Sequence, residues 1–335
     1  MKHGTLFIFL FCLLLGGCEK ADDFTADPRT NFNALWKIMD EHYCFFDYKG
    51  VDWDEVYDRY VGRVDTVKDQ FELFQLLGEM LAEVKDGHTN LISSFDVARY
   101  WDWYEKYARN YDKTVHDSYL GTGTEYRKAG GLLYKRFAGY TIGYIYYESF
   151  QYGVSENNLD YVLLYFKDCK GLIIDVRENG GGSLTYSDRI ASRFIENKML
   201  TGYIQHKTGT GHNDFSEPYP LELSPSDRVR WLRPVVVITN RHCYSATNDF
   251  VYKMSLLSNV TLLGDRTGGG SGFPFSSELP IGWSVRFSAS PLLDIHKNHI
   301  ESGIDPDVFV NMTSSDIAKG VDPLIDHSVS LLLEK

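Results

Sequence analysis

The apolar positions along this chain change their spacing twice, and each change marks a different kind of element. Over 31–46 ("NFNALWKIMDEHYCFF"), 53–64 ("WDEVYDRYVGRV") and 68–84 ("KDQFELFQLLGEMLAEV") they recur at helical intervals. Amphipathic helices are predicted there, the first capped by Thr30 or Asn31. The pattern halts at "KDGHTNL" (85–91), where Asp86-Gly87 is turn chemistry and "HTNLI" becomes strand-like. Residues 95–128 are aromatic and charged without a clear period, so "YWDWYEKYARNY" is readable as a helix or a flap.

Near residue 131 the texture changes again. "GLLYKRF" and "YTIGYIYYESF" read as strands, "ENNLDYVLLYF" as a helix, and "CKGLIIDVREN" as a strand buried on both faces. The helix "YSDRIASRFIEN", a hairpin-like stretch at 200–223, the apolar strand "PVVVITN", the helix "ATNDFVYKMSLLS" and the strand "VTLLGD" follow. Alternating strands and helices predict an α/β fold with a parallel sheet and crossover helices. "GWSVRFSAS" and "PDVFVNM" add strands, and "VDPLIDHSVSLLLEK" closes the chain as a helix. The expected organisation is therefore a helical region over 31–94, an aromatic insert over 95–130 and a core over 131–335.

The first residues stand outside this pattern. "MKHGTLFIFLFCLLLGGC" has a basic start and an apolar run shorter than the roughly 20 residues a spanning helix needs. It reads as a signal peptide over 1–17. "LLGGC" resembles a bacterial lipobox, which makes Cys18 the expected lipidation site and the membrane a partner through that lipid. The acidic stretch 18–30 then reads as a tether, and the expected location is the cell envelope, lipid-anchored. Beyond these, Cys44, Cys169 and Cys243 are an odd set without metal-ligand spacing, expected to be small buried hydrophobes. A net charge of −12 leaves no basic surface for phosphates and argues against nucleic acid.

Chemistry is expected at the C-terminal ends of the parallel strands. Three of these ends are rich in small residues: "IIDVRENGGGS" (173–183), "TNRHCYSATNDF" (239–250) and "LLGDRTGGGSG" (262–272). The last lacks the lysine of a phosphate loop. Ser245, where strand turns to helix, is either an ordinary cap or a nucleophile. In the second case its own N–H or that of Ala246 would face a developing oxyanion, with a glycine N–H of "NGGG" as second donor. A nucleophilic serine needs a base, and His88 follows the "DG" turn where a side chain would project. "HKNHIE" (296–301) lacks the HExxH pattern of a metal site, and no metal or other cofactor is expected.

Five blocks occur in a fixed order: "DGHT" (86–89), "GLIIDVRENGGGS" (171–183), "YSATNDF" (244–250), "LLGDRTGGG" (262–270) and "GIDPDV" (303–308). Together they resemble the S41 peptidases, a family that includes the C-terminal processing proteases and the tricorn core protease. The resemblance spans roughly 80–310 and implies a crotonase- or ClpP-like αβ core behind an N-terminal helical region. It implies a serine peptidase acting on peptide or protein through an acyl-enzyme, with Ser245 as nucleophile. Gly180 or Gly181 and Ala246 are the implied oxyanion donors. The processing-protease lysine has no counterpart, since no lysine lies between Lys253 and Lys297. His88 and Glu301 match the tricorn-like base and its orienting carboxylate, although Gly87 stands where tricorn has a serine. Asp86 is a rival orienter. The segment 95–130 is too short for a substrate-holding PDZ domain, which needs at least ~50 residues. A non-catalytic binder on the same scaffold and an esterase are the alternatives.

Overall fold

A computed structural model describes residues 25–334 except 138 and 140. The signal peptide and Cys18 lie outside the described residues, as does most of the tether. Four helices open the described chain, at Pro28–His42, Phe46–Lys49, Trp53–Val64 and Gln70–Ala82. The first is capped by Asp27 rather than by Thr30 or Asn31: its carboxylate accepts from Thr30 N at 2.8 Å, and Pro28 stands at the first helical position. The stretch from Pro28 to Thr30 is thus helix rather than tether.

The core is a seven-stranded sheet. From edge to edge it runs Val308–Phe309, Val260–Gly264, Val235–Thr239, Gly171–Asp175, Ile142–Tyr147, Leu132–Phe137, Arg127–Ala129. The first five strands are mutually parallel, and the last two form an antiparallel hairpin edge. Every residue of "GLIID", "VVVIT" and "IGYIYY" is buried, because helices cover both faces. Glu156–Tyr165, Leu184–Ala191 and Ala246–Ser255 pack on one face; the terminal helix Pro323–Glu334 packs on the other.

A second sheet is antiparallel and joins distant parts of the chain. Its order is Val97–Arg99, Asn90–Ile92, Ser284–Leu293, Met199–Ile204, Tyr219–Leu223, with Gly272–Glu278 also paired to Ser284–Leu293. The N-terminal helices pack on this sheet: Leu35, Met39, Leu77 and Met80 share a core with Leu91, Val285 and Phe287. Burial of this apolar stripe, at about 25 cal/mol per Å², is what fastens the helical region to the second sheet. The aromatic insert is not one element. It contributes Val97–Arg99 to the second sheet, helices at Asp102–Glu105 and Lys113–Leu120, and the strand Arg127–Ala129 to the main sheet.

Candidate active site

Ser245 terminates the turn after strand Val235–Thr239 and is the N-cap of helix Ala246–Ser255. Its backbone has φ 59° and ψ −122°, a region L-residues rarely occupy and one that costs of order 1–3 kcal/mol. Its neighbours over-determine that conformation. Ser245 N donates to Gly269 O at 2.8 Å, and Tyr244 N donates to Asn179 O at 3.2 Å. Gly181, at φ 101°, sits so close that a Cβ would fall 2.8 Å from Ser245 Cβ and 2.7 Å from Tyr244 O. The three small-residue strand ends thus meet at one serine.

The Ser245 side chain does not act as a cap. A capping serine accepts from an amide one turn into its helix, and Ser245 makes no such bond. Its Oγ lies 3.0 Å from His88 Nε2. His88 is 4% exposed, and its ring rests against Tyr244 with centroids 4.9 Å apart. Burial pushes its pKa down to about 4, against the pull of Asp86 and with the help of Arg286 and Lys49. The imidazole is therefore neutral at ordinary pH.

Glu301 is buried but does not reach the imidazole. Its Oε1 pairs with Lys49 Nζ at 3.1 Å, and its Oε2 accepts from Ser271 N at 2.6 Å. Burial raises its pKa to about 7, although Lys49 opposes this. Asp86 does not face the imidazole edge either: Oδ1 accepts from His88 N at 2.8 Å, and Oδ2 accepts from Ser288 Oγ at 2.8 Å and Tyr43 OH at 3.1 Å. His88 Nδ1 makes no hydrogen bond of normal geometry among the described residues, and the Gly272 backbone is the polar group that favours its protonated form there. Two buried carboxylates and one lysine thus stand behind the histidine without a direct bond to its ring. Periodicity could not single out Lys49: it closes a four-residue helical turn whose neighbours look like packing residues. Lys253 is no base for Ser245, since its Nζ is held by Asp188 and Asp249, each at 2.6 Å.

Ala246 N, the first amide of its helix, has no hydrogen-bond partner among the described residues. The glycine loop divides its roles differently from expectation. Gly181 N is committed to Asn179 Oδ1 at 3.0 Å, and Gly180 is exposed with nothing near its Cβ position. Gly182 lines the cavity at Ser245, and its amide is unpartnered among the described residues. Three consecutive glycines are indistinguishable in sequence until their φ values are known.

That cavity measures about 360 Å³ and is lined by His88, Ser245, Ala246 and the Gly270–Gly272 loop. A larger one of about 560 Å³ touches Gly87, Tyr244 and Glu301 but not Ser245. A carbonyl approaching Ser245 Oγ would enter the smaller. Cys243, two residues from Ser245, is buried; its Sγ donates to Val176 O at 3.0 Å, and burial pushes the thiol's pKa up, which makes it inert as a nucleophile.

Comparison with known proteins bears on the family of the chain. Residues 141–310 match Peptidase family S41, and residues 24–82 match the Tricorn protease C1 domain. The Tricorn protease of Thermoplasma acidophilum is 30% identical over 199 residues, covering 58% of this chain and 17% of that protein. The chain thus spans less than a fifth of the length of the first curated relatives it matches. A crystallised candidate peptidase from Parabacteroides merdae is 65% identical with TM-score 0.88, covering 92% of this chain and 98% of that one. Mature CPAF shares the fold at TM-score 0.69 and 11% identity, covering 91% of this chain and 96% of that one. With half the chain matched by the profile and both regions falling where the fold places them, this protein belongs to peptidase family S41.

Proposed function

We propose that the chain is a serine peptidase in which Ser245 is the nucleophile and His88 the general base. The observation that carries this is the 3.0 Å contact between His88 Nε2 and a Ser245 Oγ that declines the cap bond its position offers. Ser245 Oγ attacks the scissile carbonyl carbon as His88 Nε2 takes its proton. The carbonyl oxygen becomes an oxyanion that Ala246 N–H and Gly182 N–H can receive, helped by the positive end of the helix. His88 then protonates the leaving nitrogen, the C–N bond breaks, and an ester to Ser245 remains. Water, deprotonated by His88, attacks that ester and releases the acid product and the serine.

In this reading Glu301 is a positioning residue. Its carboxylate holds Ser271 N, and its backbone carbonyl accepts from Gly270 N at 3.1 Å. It thereby holds the loop whose Gly269 carbonyl pins the Ser245 amide. Asp86 is the carboxylate whose charge most favours the imidazolium that forms during attack.

A fluorophosphonate probe tests the reading. Expected is one adduct, on Ser245, with hydrolysis of a mixed peptide library faster than that of matched simple esters. An unlabelled, folded protein would refute it, and ester hydrolysis without peptide cleavage would favour the esterase.

The buried histidine sets the pH profile. His88 serves as base only when neutral, and its pKa lies near 4. The acid limb of kcat/KM is therefore expected near pH 4 rather than near the ordinary value of about 6.5. The His88 contribution to stability is lost as pH falls from 6.5 toward 4, because the unfolded chain binds the proton that the folded His88 refuses, while Glu301, with its pKa raised to about 7, contributes in the opposite direction. Circular dichroism at each pH separates the two effects. A limb at 6.5 that survives in Glu301→Gln would show that the working imidazole is solvated.

A further inference from the structure

We infer that Arg286 is a carboxylate-binding, specificity-determining residue of the substrate cleft; this rests on the peptidase reading above. Arg286 lines the Ser245 cavity, and apart from His88 no other titratable side chain does. Its guanidinium makes no hydrogen bond and no ion pair among the described residues. The two most buried arginines behave otherwise: Arg177 is paired with Asp175 and Asp322, and Arg193 with Glu156 and Asp160. A partly desolvated guanidinium without an anion is costly, and five donors in a planar fork match a carboxylate.

Strand register puts a second cation two strands away on the same face. Asn90 lies opposite Arg286 on one side and opposite Arg99 on the other, so the three residues form a row across one face of the sheet. Burial lowers the pKa of Arg286 and repulsion from Arg99 adds to that, while Tyr244 and the charge of Asp86 pull the other way without touching the guanidinium. An anion between or beside them would relieve the repulsion. Ser276, opposite Arg286 on the next strand, adds a hydroxyl to the row.

The row is also close to the chemistry. Ser288, two residues along the strand from Arg286, donates to the Asp86 that anchors the His88 backbone. At about 3.3 Å per extended residue, a substrate group meeting Arg286 lies within roughly three residues of the scissile bond. The chain's net charge of −12 would disfavour acidic peptides at long range, so a preference for them has to come from this local cation. The ligand chemistry is a carboxylate, supplied either by an acidic side chain or by the peptide's own C-terminus.

The test uses fluorogenic peptides in matched pairs. One set exchanges Glu for Gln at each position within three residues of the cut; the other exchanges a free C-terminal acid for its amide. The wild type is expected to prefer the carboxylate at one position of one set by about 10- to 100-fold in kcat/KM, the scale of one charged hydrogen-bonded pair. Which set responds identifies the source. Arg286→Gln should reduce that ratio to below about threefold, and Arg286→Lys, keeping charge but losing the fork, should retain part of it. Fluorophosphonate labelling of the wild type runs in parallel. Wild-type protein that neither labels nor cleaves any peptide overturns the peptidase reading. Protein that labels and cleaves but discriminates less than threefold, or whose preference persists in Arg286→Gln, overturns the assignment of Arg286 alone.

Discussion

Replacing Ser245 by alanine is expected to lower peptide turnover by about ten thousand- to a million-fold while leaving the thermal midpoint within a few degrees of wild type. The size follows from the chemistry: without Oγ no ester to the protein forms, and only positioning and the oxyanion donors remain. Stability should barely change because Oγ makes no cap bond; its partner is His88. A glycine at the same position sharpens the point. Ser245→Gly should be equally inactive yet at least as stable as Ser245→Ala. The left-handed φ of 59° costs a side-chain-bearing residue about 1–3 kcal/mol, more than the roughly 0.5–1 kcal/mol of extra chain entropy glycine brings. Steady-state peptide hydrolysis and calorimetry on the three proteins decide it. Turnover retained in Ser245→Ala would end the assignment of the nucleophile.

His88→Ala carries the second large effect, a loss of about a thousand- to a hundred-thousand-fold in kcat. The alternative base in this family is a lysine, and it predicts no loss. Lys253 is tied up by Asp188 and Asp249, and Lys49 by Glu301, so neither can take over. Because nucleophile and base act as one unit, the double variant Ser245→Ala/His88→Ala should be no slower than either single variant. Additive losses would mean that the two residues work in separate steps. Single-turnover kinetics with a good ester leaving group would place the defect in acylation.

Much of the scaffold was legible because its causes are local. Alternating apolar strands and amphipathic helices require only neighbouring residues to agree, so the parallel sheet and the helical region could be read directly. Glycine at the strand ends likewise announces tight turns, and the strand-to-helix switch at Ser245 was visible in "VVVITNRHCYSATNDF". His88 was found through its "DG" turn and the order of the five blocks.

The contacts that make the site are between residues far apart in the chain, and no short-range pattern encodes them. His88 reaches Ser245 across 157 positions because packing of the N-terminal helices brings the turn that carries it to the sheet's C-terminal edge. Antiparallel register, set by burial of Leu91 and Val285, aligned Arg99, Asn90 and Arg286 on the cleft face. Glu301 was identified by the blocks, but its distance from the imidazole was decided by Lys49, which captures its carboxylate in a buried site where a charge must find an opposite one. Likewise Gly182, rather than Gly180 or Gly181, lines the cavity at Ser245, and Asn179 takes the Gly181 amide. The sequence by itself determined which residues could do chemistry; long-range packing and charge pairing decided which of them touch.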